Sequence, residues 1–368
     1  MTGQPLRIAV IGAGIGGLTA ALSLRRAGFD VDIYEQSPAL THIGGGINMG
    51  PNAARILIRL GLGEGLLREG VRPNSTHQRR WDDGRTLQRS PLNPQCEELY
   101  GAPHVTIHRA DLLAVISAGL PAERIHLGHR LVGFADKGDH VEAWFDNGER
   151  IAPDILVGAD GIHSAARANL FGEEAPRFAG CVAYRGLVPV ERLFDLDLEL
   201  GSQSWVGPGA HLVHYFVSRG ELLNFVGWTE HDAWNREDWT DRATVARALA
   251  AFEGWHPQIR RIIGAADECF IWALFDRDPL SRWSVGRVTL LGEPATRCTR
   301  SWARRGAGDR GRRGASRLPR RGCRKPGRCA AALRAVAPPP RHPPAGDVAR
   351  QQAALSHARW PGTAGARR

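Results

Sequence analysis

The order of hydrophobic and polar positions divides the chain into three regions. Mainly apolar segments at 7–11, 31–34 and 155–157 are typical of strands that are covered on both faces of a parallel sheet. Short segments that alternate between apolar and polar residues fill much of 181–279 and are typical of an antiparallel sheet. From 294 onward the periodicity ends, and Arg, Gly, Pro and Ala predominate. The pattern therefore predicts an α/β protein with an inserted, mainly antiparallel sheet and a tail of different character.

The N-terminal apolar run continues into a glycine turn, a helix and a second strand. Gly12, Gly14 and Gly17 form the pattern G-x-G-x-x-G after the first strand, and Glu35 ends the second strand. In such a turn the first glycine permits the bend, the second lets the backbone approach a pyrophosphate, and the third lets helix and strand pack closely. The helix N-terminus favours a phosphate, and the acidic side chain accepts hydrogen bonds from a ribose. The segment therefore predicts a Rossmann-type dinucleotide site, which suits both NAD and FAD.

Positive charge is concentrated in the tail. The chain carries a formal net charge of +10, whereas residues 295–368 hold 18 Arg and one Lys against two Asp. The first 294 residues therefore carry a net negative charge. A nucleic-acid surface would depend on the tail alone, and the tail offers only Trp302 and Trp360 for stacking on bases. We therefore expect no nucleic-acid partner.

The cysteines and the apolar runs exclude further classes of protein. None of the six cysteines belongs to a C-x-x-C pair, so we expect no zinc ribbon, no bound metal and a reduced interior. The glycines after Ile11 interrupt the apolar core that a signal peptide requires. No later run reaches the length of about 18 apolar residues that a membrane helix needs. These features predict a cytoplasmic protein without a membrane partner.

Four later motifs distinguish between the two dinucleotides. They are "GGGINMGPNAARIL" (44–57), "HRADL" (108–112), "DILVGADGIHSAAR" (154–167) and "WSVGRVTLLG" (283–292), the last of which we predict to be a strand ending in glycine. With the first glycine turn, they resemble the single-component flavoprotein aromatic hydroxylases, in particular the salicylate, hydroxybenzoate and 6-hydroxynicotinate monooxygenases. The resemblance extends to about residue 293 and includes one complete dinucleotide-binding unit. It implies the aromatic hydroxylase fold, bound FAD and NAD(P)H as a transient co-substrate.

The resemblance also implies a set of contacts to FAD. These are Gly12, Gly14, Gly16, Gly17, Glu35, Gln36, Asn48, Arg109, Leu131, Asp160, Gly292 and Glu293. Two of them depart from the family pattern, because Glu293 replaces an Asp and Asn48 replaces a histidine that is frequent in the hydroxynicotinate branch. The alternative is a purely structural role, in which Arg109 forms a helix-terminal ion pair and the later glycines belong to ordinary β-turn-α units.

One strand of the inserted sheet carries the candidate catalytic residues. In "HLVHYFV", the alternation places His211, Val213 and Tyr215 on one face and His214 on the other. By resemblance to the 6-hydroxynicotinate enzyme, His211 and Tyr215 lie near the substrate ring, and Tyr215 assists deprotonation of its hydroxyl. The alternative is that both are packing residues whose polar tips are satisfied within the sheet.

The activity implied by the resemblance is hydroxylation of a small aromatic acid, phenolic or hydroxypyridine. The reaction would use NAD(P)H and O2 and proceed through a flavin C4a-hydroperoxide in a monomer or homodimer. It needs a dry pocket and a base or strong hydrogen bond at the substrate hydroxyl. Two alternatives stay open: an FAD oxidase or dehydrogenase that does not hydroxylate, and a non-catalytic protein that binds nucleic acid through its basic tail.

The same segments predict a domain organisation in which the substrate domain is inserted into the FAD-binding domain. The predicted bounds are 1–74, 101–180 and 280–293 for the discontinuous FAD-binding domain, 75–100 and 181–279 for the substrate domain, and 294–368 for the tail.

The composition of the tail indicates a change of reading frame from about Glu293. The chain contains 46 Arg and only two Lys, which is typical of GC-rich codons, and such DNA read out of frame encodes mainly Arg, Ala, Gly and Pro. Shifted by one base, codons for "ATRCTRSW" permit "HPMHPFMG", and shifted by two, codons for "GDRGRRGAS" permit "AIEDAAVL". Both resemble the family after its last glycine turn. The alternative is a genuine disordered basic tail.

Sequencing of the gene tests this hypothesis. Because the two permitted segments need different shifts, we expect two frame changes after the codon for Gly292. A single uninterrupted frame that encodes the same tail would contradict the frameshift.

Overall fold

The structure is a computed structural model that describes residues 5–40, 44–232, 234 and 242–295. All of them belong to one structural unit, Met1–Cys323. The tail predicted over 294–368 lies outside the described residues, apart from Pro294 and Ala295.

The chain forms strands, α-helices and short 3₁₀ turns. In chain order the strands are β1 (Arg7–Ile11), β2 (Asp30–Glu35), β3 (Gly46–Met49), β4 (Ser75–Arg80), β5 (Thr86–Pro91), β6 (Val105–His108), β7 (Ile125–Leu127), β8 (Leu131–Asp136), β9 (Val141–Phe145), β10 (Arg150–Ile151), β11 (Ile155–Gly158), β12 (Arg177–Pro189), β13 (Gly201–Gly207), β14 (Ala210–Val217), β15 (Leu222–Glu230), β16 (Arg242–Ala243), β17 (Cys269–Asp276), β18 (Ser284–Val285) and β19 (Val288–Leu290). The helices are α1 (Ile15–Arg26), α2 (Pro51–Arg59), α3 (Gly63–Glu69), α4 (Gln95–Tyr100), α5 (Arg109–Ser117), α6 (Ala165–Phe171), α7 (Val245–Ala251) and α8 (Pro257–Gly264). The 3₁₀ turns are Ala122–Arg124, Val190–Leu193 and Ser218–Gly220.

A six-stranded sheet forms the nucleotide-binding part, in the order β18-β19-β11-β1-β2-β7. Its strands are parallel except β18, which pairs antiparallel with β19. The central strands β1 and β11 are buried almost throughout, because helices and a second, three-stranded sheet (β10-β9-β8) cover their faces. The three apolar runs at 7–11, 31–34 and 155–157 are therefore confirmed as buried parallel strands.

Helix α1 packs on this sheet through small and aliphatic side chains. Leu18, Ala21, Leu22 and Leu24 are buried on it. The helix ends at Arg26, and Gly28 follows with φ of 90°, a conformation that suits glycine because it has no Cβ. The predicted helix and its glycine stop are thus confirmed.

An eight-stranded sheet forms the second layer, in the order β16-β17-β12-β15-β14-β13-β4-β5. Its pairs are antiparallel except β13 and β4, which are parallel. The alternation predicted for β14 is confirmed, because His214 lies on the core face, where its Nε2 accepts a hydrogen bond from Trp205 Nε1 at 3.2 Å. Helices α7 and α8 close that core face, with Phe252 and Ile259 fully buried. The opposite face carries Tyr215, which pairs in register with Asn224.

A two-stranded sheet, β3 with β6, joins the two layers. Thr106 Oγ1 on β6 donates a hydrogen bond to the carbonyl of Phe216 on β14 at 2.6 Å. Gly46 on β3 lies against Tyr215 and Asn224. The glycine segment 44–46 is therefore held between the nucleotide-binding sheet and the free face of the eight-stranded sheet.

Two segments differ from the expected local structure. The run 283–292, predicted to be one strand, is the hairpin β18–β19, because Gly286 adopts φ of 55° and reverses the chain. The glycine segment 44–57, predicted to be a turn entering a helix, also contains β3, which hydrogen bonding to β6 stabilises. Helix α7 lies within the inserted segment, and Thr244 Oγ1 caps it by accepting from Arg247 N. The predicted domain bounds stay a prediction.

The structure describes three of the six cysteines and places them in the interior. Cys96, Cys181 and Cys269 are buried, and the other three cysteines lie outside the described residues. Within the described ranges, no helix combines the length and the apolar character needed to cross a membrane.

Candidate active site

A cavity of about 680 Å³ opens where β1, β2, β11 and β19 reach their carboxyl ends. In open α/β sheets, ligands bind outside the carboxyl ends of the strands. The volume lies within the range of small-molecule and cofactor sites. The cavity is therefore the candidate dinucleotide site.

Most of the predicted cofactor contacts meet at this cavity. Its lining includes Gly12, Gly14, Gly16, Glu35, Gln36, Arg109, Leu131, Asp160, Gly292 and Glu293. Gly17 lies behind the lining, where a Cβ would be 1.9 Å from the carbonyl oxygen of Gly12. Asn48 is not part of the lining, and its Oδ1 lies 3.0 Å from His104 Nε2.

The N-terminus of α1 offers free backbone donors to the cavity. Gly14 is the N-cap and provides no side-chain cap, and the first turn contains no acidic residue. A Cβ at Gly14 or Gly16 would meet nothing within 4 Å, so the space in front of the helix is open. Uncapped N–H groups and the positive end of the helix dipole bind anions such as a diphosphate.

Glu35 connects the end of β2 to the glycine turn. Its Oε2 accepts from the backbone N of Ala13 at 2.7 Å, and its Oε1 accepts from the backbone N of Ser37 at 3.0 Å. A carboxylate has about four acceptor positions, so both oxygens can still accept from a ribose hydroxyl. Glu35 thus stabilises the turn as well as facing the cavity.

A chain of hydrogen bonds ties two walls of the cavity together. Ser164 Oγ donates to Asp160 at 2.6 Å and accepts from the backbone N of Arg167 at 2.9 Å. Arg167 Nη1 then donates to the carbonyl of Pro294 at 3.2 Å. Burial raises the pKa of Asp160, while hydrogen bonds from Ala166 and Ser164 oppose that rise. The Asp, Ser and Arg of the motif at 154–167 therefore position the turn that carries Glu293.

An aromatic wall that sequence reasoning missed stands beside Glu35. The Tyr34 ring stacks on His126, with ring centroids 4.7 Å apart, and on Phe145, with centroids 5.0 Å apart. Tyr34 and His129 also line the cavity, and burial raises the pKa of Tyr34 to about 12. The members come from three separate parts of the chain, β2, the segment 126–129 and β9, so no single local motif indicates them.

The candidate catalytic residues lie on the face of the eight-stranded sheet that is opposite α7 and α8. Tyr215 is buried, and burial raises its pKa to about 12, while the nearby Arg185 charge opposes that rise. The His211 ring stacks on Trp228 with centroids 5.9 Å apart, and burial lowers the pKa of His211 to about 4. The four-residue separation along the strand places the two Cα atoms about 13 Å apart. At neutral pH, Tyr215 is therefore a protonated donor and His211 a neutral ring.

Asn224 and Arg185 complete this face, and sequence reasoning did not assign Asn224 to the site. The Asn224 Oδ1 accepts from the backbone N of Gly46 at 2.7 Å. Arg185 lies over Trp272, with its Cζ 4.1 Å from the ring centroid. The strand register offers a signal for Asn224, which is directly opposite Tyr215, but that register is known only once the sheet is assembled.

Comparison with known proteins identifies the family. The model of the FAD binding domain matches residues 6–295, which includes every wall of the cavity. The chain belongs to the FAD-binding domain family. The match ends at the residue where the described structure ends, and the frameshift of the tail stays a prediction.

Relatives and solved structures of this family agree on the chemistry. The chain is 41% identical over 289 residues to 3-amino-4-hydroxybenzoate 2-monooxygenase PtmB3 of Streptomyces platensis, covering 78% of this chain and 73% of the relative. It is 38% identical over 300 residues to 6-hydroxynicotinate 3-monooxygenase of Bordetella bronchiseptica, covering 80% and 76%. Among solved structures it is similar to Klebsiella pneumoniae HpxO complexed with FAD and uric acid, with a TM-score of 0.71, 30% identity, and coverage of 79% and 73%.

The FAD-binding family member described here is an FAD-dependent aromatic monooxygenase with the aromatic hydroxylase fold. The prediction that this site binds FAD rather than NAD is confirmed, and so is the prediction of a monooxygenase. The geometry of the cavity fits FAD independently of these comparisons, because the open glycine face of α1 suits a diphosphate and Glu35 suits a ribose.

The close packing at Gly17 yields a matched pair of variants. Gly17→Ala places a methyl group 1.9 Å from the Gly12 carbonyl, so we expect a loss of about 2 kcal/mol in the free energy of unfolding of the flavin-free protein and a lower flavin content. Gly16→Ala adds its methyl group in open space, so the free energy should stay within about 1 kcal/mol of the parent. Urea unfolding and visible absorbance provide the two measurements. Equal stability of both variants would show that the helix does not need this contact.

Proposed function

We propose that this protein hydroxylates a small aromatic acid with a ring hydroxyl, phenolic or hydroxypyridine, using NAD(P)H and O2. The observation that carries the proposal is the buried Tyr215 hydroxyl on a sheet face that packs against the glycine segment 44–46 beside the cavity. Two relatives whose names specify 3-amino-4-hydroxybenzoate and 6-hydroxynicotinate support this substrate class.

We assign the cavity residues to distinct parts of FAD. The backbone N–H groups at Gly14 and Gly16 hold the diphosphate, and Glu35 accepts from a ribose. Arg109 and Glu293 also line this cavity and complete the set of contacts. Bound FAD supplies electron transfer from NAD(P)H and activation of O2, so the protein residues have to bind, orient and exclude water.

Tyr215 acts on the ring hydroxyl as a hydrogen-bond donor. Because burial raises its pKa to about 12, the phenol keeps its proton at neutral pH and stabilises negative charge that develops on the substrate oxygen. This role refines the expectation that Tyr215 assists deprotonation. His211 has its pKa lowered to about 4, so it stays neutral above about pH 5 and, stacked on Trp228, provides a flat side to the pocket.

The proposal is tested with the full chain. We expect the purified protein to bind FAD and to oxidise NADH faster when 3-amino-4-hydroxybenzoate, 6-hydroxynicotinate or 3-hydroxybenzoate is present, with hydroxylated product detected by mass spectrometry. The product should account for most of the O2 consumed, because a dry pocket suppresses loss of peroxide. Oxygen uptake without hydroxylated product for every acid indicates an oxidase. A colourless protein whose retention on DNA falls steeply with salt indicates nucleic-acid binding.

Tyr215→Phe tests the role of the phenol. We expect flavin content to be unchanged and the rate of product formation to fall about 100-fold, because the variant loses the hydrogen bond to the ring hydroxyl of the substrate. In the parent, product formation should show no inflection between pH 6 and 8 from His211, whose protonated form is negligible there.

Tyr100→Phe is the matched control for this substitution. Tyr100 is 54% exposed at the end of α4, so removing its hydroxyl should leave both flavin content and turnover at the parental values. If Tyr215→Phe matched this control in product formation, Tyr215 would be a packing residue.

A further inference from the structure

Arg185 places a positive charge between the two sheets. It belongs to β12, and its Nη2 lies 3.4 Å from the carbonyl oxygen of Gly46. Its guanidinium lies over the Trp272 ring at 4.1 Å from the centroid. A guanidinium stacked on an indole is held in one plane, which leaves its edge for hydrogen bonds. The side chain is therefore oriented before any ligand binds.

No acidic residue among those described forms an ion pair with Arg185. The titratable groups that act on its charge are Tyr215 and the second cation, Arg109. Burial lowers the pKa of Arg185 to about 10, so it remains charged at neutral pH. A charge removed from water without a counter-ion destabilises the fold, and buried arginines are normally paired for that reason.

The same place contains hydrogen-bond donors without acceptors. Asn224 is fully buried, and because its Oδ1 accepts from Gly46 N, its Nδ2 must be the donor end of the amide. Within the described part of the chain, neither Asn224 Nδ2 nor Arg185 Nε has a hydrogen-bond partner. Buried donors nearly always have acceptors, so a pair of exceptions beside an unpaired cation indicates a missing acceptor.

These groups converge on two glycines. A Cβ at Gly45 would lie 2.8 Å from both Arg185 Nη2 and Asn224 Oδ1. A Cβ at Gly46 would lie 2.6 Å from Tyr215 Cε2 and 2.8 Å from Asn224 Cγ. Only glycine lets the segment pass this close. The backbone therefore brings Arg185, Asn224 and Tyr215 to one point at the junction of the sheets.

We propose that Arg185, supported by Asn224 and Tyr215, forms a binding site for an oxyanion carried by the aromatic substrate. The inference rests on the proposed function, because it takes the ring to bind between this face and the flavin. A carboxylate and a ring oxyanion formed from the hydroxyl share the required chemistry, since each supplies a negative charge and acceptor lone pairs to N–H donors. A site that binds the carboxylate selects aromatic acids over their neutral analogues, whereas a site that binds the ring oxyanion lowers the pKa of the bound phenol.

Binding measurements on the FAD-loaded protein test whether Arg185 recognises a negative charge on the substrate. The dissociation constants of 3-hydroxybenzoate, 6-hydroxynicotinate and 3-amino-4-hydroxybenzoate are compared with those of the corresponding amides, by equilibrium dialysis. We expect the parent to bind each acid at least about tenfold more tightly than its amide. Arg185→Met should remove this preference by weakening acid binding, and Arg185→Lys should restore part of it because the charge returns without the planar fork.

Arg192→Met is the matched control. Arg192 is a surface arginine whose Nη1 pairs with Asp267 at 2.7 Å, so its loss should leave the preference intact. Flavin content and the midpoint of thermal unfolding establish that each variant is folded. If Arg185→Met does not fold, Asn224→Asp replaces it. That variant keeps the acceptor for Gly46 N and adds a charge that should repel the acids while the amides still bind.

A second arm identifies which oxygen bears the charge. The pKa of bound 4-nitrophenol is read from its visible absorbance in the parent and in Arg185→Met. Loss of the acid preference assigns the site to the carboxylate, whereas a retained preference with a raised pKa of the bound phenol assigns it to the ring oxyanion. If Arg185→Met changes neither the relative binding of acids and amides nor the pKa of bound 4-nitrophenol, the proposal is overturned.

The outcomes separate this proposal from the proposed function. Acids that bind through Arg185 but are never hydroxylated would contradict the proposed function alone. Hydroxylation that proceeds in Arg185→Met with unchanged acid preference and unchanged phenol pKa would contradict the oxyanion site alone.

Discussion

The close contact between α1 and the loop after β1 is the constraint on which the rest of the structure depends. Gly17 meets the carbonyl of Gly12 with no room for a methyl group, and Gly12 itself, with φ of 102°, lies against the backbone of Ala159. Side chains at these points would separate the helix from β1 and β1 from the turn after β11. Because the two glycines bring the backbones together, the uncapped end of α1 opens directly into the cavity.

Two further walls are held relative to that contact by polar side chains. Glu35 holds the turn through the backbone N–H of Ala13, and Arg167 reaches the carbonyl of Pro294. Both residues therefore act through the backbone. This explains why a motif with Asp160, Ser164 and Arg167 accompanies a glycine turn. Asp160 lines the cavity, and Ser164 and Arg167 orient its walls from outside the lining.

The junction of the two sheets has a different character, because it combines burial with unbalanced charge. Arg185 Nε and Asn224 Nδ2 are buried donors for which the described residues provide no acceptor. Buried polar groups that lack a hydrogen-bond partner occur most often at functional sites, where a bound ligand supplies the partner. An aromatic acid bound there would supply the missing charge, the missing acceptors and a flat ring to lie beside His211 and Trp228.

The sequence alone determined those features that depend on neighbours in the chain. The turn at Gly12, the strand alternation that separates Tyr215 from His214, and the inserted sheet follow from local spacing, since a period of two or a glycine turn has one structural meaning. Only the tertiary structure decided which distant residues contact one another. The tie from Arg167 to Pro294 and the approach of Arg185 to the glycine segment join residues more than a hundred positions apart. Such contacts depend on strand register and on the meeting of two sheets, which no local pattern encodes.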